Sequence, residues 1–349
     1  MSLTRKRCTK CVLSESFPRI KFDANGVCSY CNKSNQYVDT DQMIKDAKKK
    51  IDELFDGNQC KGDYDAIVCY SGGKDSTYTL QLAIEKYKLR VLAFTLDNDF
   101  ISPAAWGNIR TVTNNLGVDH VVFKPNVKHF NAITKASVEN AIYNKNTLSR
   151  ISAVCNSCIS MVNTTALKMA LEKHIPFILA GFTLGQIPLN SIIYKNNQKF
   201  LAESRQASLQ KLRELVGPSV DNYLSINSAS LEDTLNYPHT VNILCIENIS
   251  EQAILEQVRK LGWTSPGDVD GCSSNCMLNT FSNHVHEKIF DYNPYELELS
   301  HLIRENLLSR SEAMDKLNQR PENLIPVIKE RLSIDDDAIE RVKLDYAAK

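Results

Sequence analysis

The sequence lacks any run of about eighteen apolar residues, the length that a helix needs to cross a bilayer. Residues 1–7 are basic, but the apolar stretch that would make them a secretory signal does not follow. Neither a membrane span nor an export signal is therefore predicted. The cytoplasm is the expected location.

An excess of charge of either sign is also missing. Lys and Arg number 41, Asp and Glu number 41, and the formal net charge is zero. A protein that wraps a long stretch of nucleic acid usually carries a basic excess. The balance therefore favours a small molecule, such as a sugar or another metabolite, as the partner. Internal repeats and low-complexity tracts, which would indicate a solenoid or a disordered chain, are absent as well.

Short apolar runs alternate with helix-length segments between residues 65 and 246. The predicted strands are residues 65–70, 90–96, 120–123, 176–181 and 241–246. Helices are predicted at residues 76–87, 104–116 and 163–173. Nearly continuous apolar strands separated by helices are typical of a parallel, doubly wound α/β sheet, which is the predicted fold class.

Four regions follow from the composition. Residues 1–38 hold four cysteines and few large apolar residues, so they need a metal to fold as a module. Residues 39–60 have apolar positions at helical spacing and are predicted to form a linker helix. The main α/β domain is placed at 61–265. Residues 266–349 are predicted to be a helical region with a second cysteine pair, which either closes over the active site or forms a homodimer contact.

The turn between the first predicted strand and the next helix consists of Ser71, Gly72, Gly73, Lys74, Asp75 and Ser76. Two glycines allow a tight turn whose N–H groups face an anion, and the helix N-terminus adds partial positive charge. Lys74 supplies a full charge, and Asp75 offers an oxygen ligand for Mg²⁺. A plain glycine turn before a capped helix is the alternative. The context favours a phosphate-binding loop, although not the common G-x-x-x-x-G-K-[ST] type.

Two C-x2-C pairs stand near the N-terminus, separated by sixteen residues: Cys8, Cys11, Cys28 and Cys31. Four thiolates at this spacing predict a tetrahedral Zn²⁺ site of the zinc-ribbon kind. Metal binding would supply the folding energy that the segment lacks. We expect this zinc to be structural, with four unrelated thiols as the alternative.

A second set of cysteines has no single interpretation from spacing alone. It consists of Cys155, Cys158, Cys272 and Cys276. These cysteines fit three interpretations: iron–sulfur cluster or persulfide chemistry, a second zinc site, or buried thiols without a chemical role. Cys69 and Cys245 lie in predicted strands and are expected in the core, whereas Cys60 is isolated. His284 and His286 are either ligands or acid–base groups, or ordinary structural histidines.

The segment 71–76 resembles the SGGxDS loop of the PP-loop ATP pyrophosphatases, the adenine-nucleotide alpha-hydrolase group. The resemblance implies that the loop binds ATP and grips its pyrophosphate, with attack at the α-phosphate. It places the adenine and ribose near Phe94, Thr95, Leu96 and Asp97, at the end of the second strand. It also implies a glycine turn after the fourth strand, here residues 181–186 beginning at Gly181. Many relatives carry acidic metal ligands in that turn, and this sequence has none.

The chain resembles two branches of that family. Residues 8–13, 18–28, 117–120, 175–177 and 303–313 are similar to N-acetyl sugar amidotransferases. Cys155 and Cys158 lie where the tRNA thiolation enzymes carry a C-x-x-C, and there a third cysteine completes a three-cysteine [4Fe–4S] site. The resemblance thus makes Cys272 or Cys276 the third ligand.

The prediction is an ATP-dependent, AMP-forming enzyme that adenylates an acceptor carbonyl oxygen and then replaces it. The predicted catalytic residues are Lys74, Asp75, Cys155, Cys158 and Cys272. Sulfur from a cluster or persulfide is the favoured incoming atom, and ammonia delivered to an N-acetyl sugar is the alternative. Either route could use a sulfur- or ammonia-donor protein as a partner. A nucleotide-binding regulator without turnover is the third hypothesis.

Overall fold

The computed structural model describes residues 5–33, 40–58, 60, 62–226 and 237–348, except for the side chains of 33 and 198–206. A six-stranded sheet lies at its centre. Its strands are β1 (Ala66–Cys69), β2 (Val91–Leu96), β3 (Asp119–Phe123), β4 (Phe177–Ala180), β5 (Ile193–Lys195) and β6 (His239–Val241). The order across the sheet is β3-β2-β1-β4-β6-β5, and every pairing is parallel except that of β5 with β6. The predicted α/β class with a parallel sheet is confirmed.

Helices cover both faces of the sheet and make up the C-terminal region. In the first part of the chain they are α1 (Ser29–Lys33), α2 (Thr40–Asp56), α3 (Lys74–Gln81), α4 (Pro103–Leu116), α5 (Val127–Glu139), α6 (Lys145–Leu148) and α7 (Ala153–Glu172). The later ones are α8 (Gln198–Val216), α9 (Asp221–Leu224), α10 (Glu251–Lys260), α11 (Leu278–Phe290), α12 (Glu296–Arg304), α13 (Arg310–Asn318), α14 (Leu324–Leu332) and α15 (Asp336–Ala348). In the described part of the chain, no helix is long and apolar enough to cross a membrane.

The carboxyl ends of β1, β2 and β4 meet at one edge of the sheet. Cys69, the last residue of β1, is in register with Phe94 on one side and Ala180 on the other. Alternate residues of these strands belong to two separate cores, one on each face: Ile67 to the first and Val68 to the second. In a doubly wound sheet, ligands bind in the crevice outside such strand ends. The fold therefore places the candidate site after β1, β2 and β4.

Helix α7 begins at Ala153, ten residues before the predicted start at residue 163. Ser152 caps it by accepting a hydrogen bond from the N–H of Cys155, at 3.2 Å. The first turns are rich in Asn, Ser and Cys, which are only moderate helix formers, so the sequence pattern did not indicate where the helix begins. As a result, Cys155 and Cys158 lie one turn apart on a helix.

The fifth strand was predicted wrongly in its extent. Strand β6 ends at Val241, and Ile243–Ile246 form a buried 3-10 turn instead of continuing it. A short apolar run fits a buried strand and a buried turn equally well. The antiparallel edge strand β5 was not predicted, because three residues carry too little pattern.

Helix α2 lies where a linker helix was predicted, but it packs on the sheet. Ile51 and Phe55 are buried, and the Phe55 ring lies edge-on to Phe177 and Tyr87 at centroid distances of 4.9 and 5.0 Å. Aromatic pairs of this kind add to the free energy gained by burial. The helix is therefore part of the core and not a free spacer.

Candidate active site

The phosphate loop turns sharply behind β1. Gly72 has φ of +78°, and a Cβ added there would lie 2.7 Å from Ile109 Cγ1 and 2.8 Å from the carbonyl oxygen of Ala105. Both neighbours belong to α4, so another residue would clash and be strained. Trp263 Nε1 donates a hydrogen bond to the Gly72 carbonyl at 2.9 Å. The loop is thus held from behind, and its front faces a cavity.

Hydroxyl groups organise the front of the loop. Ser76 Oγ lies 3.0 Å from Ser71 Oγ and donates to the Gly73 carbonyl at 3.1 Å. Ser274, two hundred residues away in sequence, accepts the N–H of Lys74 at 3.0 Å. That N–H opens α3 and is one of the groups that would bind an anion. Sequence reasoning missed Ser274.

The loop lysine is held between carboxylates. Lys74 Nζ lies 2.7 Å from Asp75 Oδ2 and 3.6 Å from Glu251 Oε2, while Glu251 also pairs with Lys316 at 2.6 Å. Burial opposes the charge, but Asp75 and Glu251 outweigh it and raise the pKa of Lys74. Lys74 therefore stays cationic, as a phosphate ligand must be.

A carboxylate that the sequence did not indicate enters the site from α12. Glu298 accepts a hydrogen bond from Thr183 Oγ1 at 3.0 Å, and Thr183 belongs to the turn after β4. Burial, and then the negative charge of Asp75, raise the pKa of Glu298 to about 7. Among the described residues, no cation lies within ion-pair distance of Glu298. The acid that was missing from the turn is thus supplied by a distant helix.

Asp75 and Glu298 together fit a divalent cation. Their mutual repulsion contributes to the shifted pKa of Glu298, and a cation between them would relieve it. Carboxylate oxygens are the ligands that Mg²⁺ prefers, with phosphate oxygens and water completing the set. The residues present therefore suit the predicted metal.

Two cavities meet at this edge of the sheet. The smaller, about 430 Å³, is lined by the phosphate loop, the turn after β4 and residues 270–275. The larger, about 840 Å³, is lined by the ends of β1 and β2 and the start of α7. Ser71, Phe182, Tyr295 and Glu298 line both. A nucleotide and a second substrate can therefore meet beside the loop.

The residues predicted near the adenine and ribose divide into two groups. Phe94, Thr95 and Leu96 line the larger cavity, but the Thr95 hydroxyl contacts the Tyr70 carbonyl at 2.5 Å and His120 Nε2 at 2.8 Å. Asp97 is not among the lining residues, because Lys124 Nζ at 3.3 Å and the N–H of Asp99 at 2.9 Å occupy its carboxylate. The end of β2 therefore forms part of the wall of the larger cavity, whereas the carboxylate of Asp97 contacts Lys124 and the N–H of Asp99.

Gly181 brings the turn after β4 against the loop. A Cβ at this position would lie 2.9 Å from both N and Cα of Ser76. Only glycine allows this approach of one backbone to another. The contact places Phe182 and Thr183 beside the phosphate loop.

Three cysteines of the second set line the larger cavity: Cys155, Cys158 and Cys276. Asn98 Nδ2 lies 3.7 Å from Cys158 Sγ and 3.5 Å from Cys276 Sγ. Burial raises the pKa of all three thiols, that of Cys276 to about 11, and neighbouring sulfurs contribute to the increase for Cys158 and Cys276. Without a positively charged group, these thiols stay protonated.

The remaining cysteines are placed differently. Cys272 lines the smaller cavity, with its Sγ 3.8 Å from the Lys316 carbonyl oxygen, and is absent from the lining of the larger one. Cys245 is buried as predicted. Cys69 is half-buried: it packs against the first core, as predicted, and it also lines both cavities. It is the last residue of β1, where the strand opens onto the site.

The N-terminal thiols form a compact site. The Sγ atoms of Cys8, Cys11, Cys28 and Cys31 all lie within 4.8 Å of one another. Separations of 3.7 Å (Cys11 to Cys28) and 3.9 Å (Cys8 to Cys31) match the ~3.8 Å expected for a tetrahedron with Zn–S bonds of ~2.3 Å. A hydrogen bond from Cys28 lowers the pKa of Cys11, while the same contact raises that of Cys28 to about 11. A cation is needed to hold all four as thiolates, and the donor set fits zinc.

This module docks on α12. Glu296 is fully buried, accepts hydrogen bonds from the N–H and Oγ of Ser14 at 2.9 and 2.8 Å, and pairs with Arg7 at 2.9 Å. Arg310 Nε donates to the Cys11 carbonyl at 3.0 Å. The helix that presents Glu298 to the active site is therefore anchored to the cysteine module two residues earlier.

The two histidines do not line either cavity. His286 is buried against the Phe290 and Tyr292 rings, at 4.7 and 5.0 Å, and burial lowers its pKa to about 3. Burial also lowers the pKa of His284. Their positions match the structural interpretation.

Comparisons with known proteins give distant similarities. No family model matches the chain. An uncharacterized protein of Methanocaldococcus jannaschii is 20% identical over 318 residues, which cover 90% of this chain and 93% of that protein.

Similar solved structures include a U34-tRNA thiolase from Methanococcus maripaludis with its [4Fe-4S] cluster, at 16% identity and a TM-score of 0.35, covering 87% of this chain and 88% of that one. An NAD+ synthetase from Burkholderia pseudomallei has 12% identity and a TM-score of 0.33, covering 89% of each chain. An NH3-dependent NAD synthetase from Campylobacter jejuni has 12% identity and a TM-score of 0.29, covering 57% of this chain and 79% of that one. Because the sequence identities and TM-scores are low, an activity can be inferred only from the geometry of this chain.

Proposed function

We propose that the chain is a PP-loop ATP pyrophosphatase that adenylates a carbonyl oxygen of an acceptor. The observation that supports this most is the loop at residues 71–76, which lies after the central strand β1. Its cationic Lys74, its hydroxyls and its helix N-terminus face a cavity that also contains Asp75 and Glu298. Attack of the acceptor oxygen on the α-phosphorus forms one P–O bond and breaks another, which releases pyrophosphate.

Each loop group has a part in that step. Lys74 and the N–H groups at the start of α3 bind the leaving pyrophosphate and stabilise the charge that develops on it. Asp75 and Glu298 would hold Mg²⁺, which neutralises phosphate charge when bound. The acceptor oxygen then leaves as part of AMP when a nucleophile attacks the activated carbon.

Sulfur is the favoured nucleophile, because three thiols lie across the cavity from the loop. Cys155, Cys158 and Cys276 share this cavity with Ser71 and Glu298, so a sulfur delivered there reaches the activated carbon. These three thiols would hold a [4Fe–4S] cluster, which would supply a site for sulfide when bound. A persulfide on one of the cysteines is the alternative sulfur source.

Ammonia transfer to an N-acetyl sugar, which forms an amidine, is the second candidate. In the described residues, the N-terminal quartet is the only group of three or more Cys, His, Asp or Glu whose ligand atoms all lie close enough together for one metal ion. If the other three thiols bind nothing, burial keeps them neutral and inert. A regulator without turnover is disfavoured by the intact loop lysine and its neighbouring carboxylate.

Metal analysis after anaerobic purification tests the choice. The sulfur proposal expects a brown protein with about four irons per chain, acid-labile sulfide and one zinc. A colourless protein with zinc alone, active with ammonium and an N-acetyl sugar, would instead establish amide-type transfer. Formation of AMP and pyrophosphate, measured with candidate acceptors, tests the shared first step. A chain that binds ATP but never releases pyrophosphate would be the regulator.

A further inference from the structure

Arg150 lines the larger cavity, and Arg304 is the last residue of α12. Neither of them forms an ion pair with any described residue. Arg110, Arg259 and Arg310 form none either, but they are exposed, whereas Arg304 has a guanidinium nitrogen that is buried and has no partner.

The charges of Arg150 and Arg304 lie together around α12. Arg150 Nη1 donates to the Gly185 carbonyl at 3.0 Å, and a Cβ on Gly185 would lie 2.9 Å from His301 Cβ. Arg304 follows His301 by three residues, so both share one face of the helix.

Two donors in this cluster are buried without a partner. Arg304 Nη1 and His301 Nε2 have no hydrogen-bond partner in the described structure and almost no contact with solvent. A buried, unsatisfied polar atom is destabilising, so native proteins keep such atoms mainly where a ligand or water satisfies them. Burial, and then the charges of Arg304 and Arg150, lower the pKa of His301 to about 4. A bound anion would give both nitrogens a hydrogen-bond partner and would raise the pKa of His301.

The position of the cluster identifies the ligand. Arg150 lines the larger cavity, which Glu298 also lines, and Glu298 lies one turn before His301 on α12. In the proposed function the ATP phosphates have their own loop at residues 71–76, whose lysine is paired with Asp75 and Glu251. We propose that Arg150, Arg304 and His301 bind a phosphate group carried by the acceptor itself. This inference rests on the proposed function and adds the class of acceptor: a small phosphorylated molecule.

Guanidinium groups suit this task, because they bind phosphate oxygens in pairs and keep their charge when buried. A long RNA would need a basic track along the surface, whereas these groups lie around Gly185 and the second half of α12. The zero net charge agrees with a small ligand.

Calorimetry on the full chain, saturated with a non-hydrolysable ATP analogue, tests the site. The probes are inorganic phosphate and the matched pair N-acetylglucosamine 1-phosphate and N-acetylglucosamine. We expect the phosphorylated sugar to bind more tightly than the free sugar. Arg150→Gln and Arg304→Gln should each weaken binding of phosphate and of the sugar phosphate by ~10-fold or more, with no change for the ATP analogue. Arg110→Gln, at an exposed position on α4, is the matched control.

The inference is overturned if wild type does not bind phosphate, or if both variants bind it like wild type while melting normally. An RNA hairpin that binds more tightly than the sugar phosphate, and loses affinity in the same variants, would overturn the small-molecule class. Failure of the proposed function looks different: the wild type would not bind the ATP analogue, while phosphate binding without nucleotide could still be measured.

Discussion

At the residue scale, the proposed function makes Lys74 the main cationic ligand of the pyrophosphate. Its charge is maintained by Asp75 and Glu251, and its replacement leaves pyrophosphate without a cationic ligand. We expect Lys74→Ala to lower AMP formation by ~100-fold or more. Lys124→Ala, which removes an exposed lysine outside the cavity, should keep the wild-type rate. Retained activity in the Lys74 variant would contradict the loop assignment.

Glu298 is the second residue whose role can be measured directly. If it shares Mg²⁺ with Asp75, Glu298→Gln should raise the Mg²⁺ concentration needed for half-maximal pyrophosphate release by ~10-fold or more. The surface variant Glu322→Gln should behave as wild type. An unchanged Mg²⁺ dependence would remove Glu298 from the metal site.

His286 links one buried side chain to the pH dependence of stability. Its folded pKa of about 3 lies below its ordinary value of 6.5, so between these values the unfolded chain binds the additional proton. Stability is therefore lost as the pH falls from 6.5 towards 3, by up to ~1.4 kcal/mol per pH unit from this group. His286→Phe should reduce that slope in denaturant titrations. The exposed His174→Asn should leave it unchanged, and equal slopes in all three proteins would exclude this cause.

Sequence and structure agree on residues whose chemistry is local. The loop at 71–76 and the four N-terminal cysteines could be predicted because the residues of each site lie close together in the sequence. Glu298 and Ser274 could not, because Ser274 contacts the loop across 200 residues, Glu298 contacts the turn after β4 across 115, and neither belongs to a local pattern. Asp97 was assigned from the strand end alone, and the competing cation Lys124 could not be seen.

At the element scale, the early start of α7 and the segment before α11 decide which cysteines meet. The first turn of α7 faces Cys276, while Cys272 faces the phosphate side. We expect Cys276→Ser to lose bound iron and sulfur transfer but keep pyrophosphate release, and Cys272→Ser to keep its iron. Iron content and pyrophosphate assays on both variants decide this. If only Cys272→Ser loses iron, Cys272 is the third ligand.

Hydrophobic periodicity located most of these elements but not all of their ends. The apolar strands β1, β2 and β4 were predictable because both of their faces are buried. The start of α7 and the 3-10 turn after β6 depend on a cap and on tertiary packing, and apolar pattern does not encode either.

At the scale of the whole molecule, the cysteine module and the catalytic edge are connected through α12. Glu296 is buried on the module side, so Glu296→Gln should destabilise the protein by ~3 kcal/mol, since Arg7 and Ser14 lose a charged partner. Removing zinc with a chelator should lower the melting temperature and the rate of pyrophosphate release together. Thermal melts and activity after stepwise chelation measure both. A rate that survives full zinc loss would show that the module only stabilises.

The hydroxyl of Ser274 has a consequence for how tightly nucleotide is held. Because the resting loop already satisfies the amide of Lys74 internally, an incoming phosphate exchanges one hydrogen bond for another and gains little from that contact. Net affinity must then come mainly from the Coulomb attraction of lysine and metal, which dissolved ions screen. The grip on ATP should accordingly weaken as ionic strength rises, more steeply than in a loop with vacant amides.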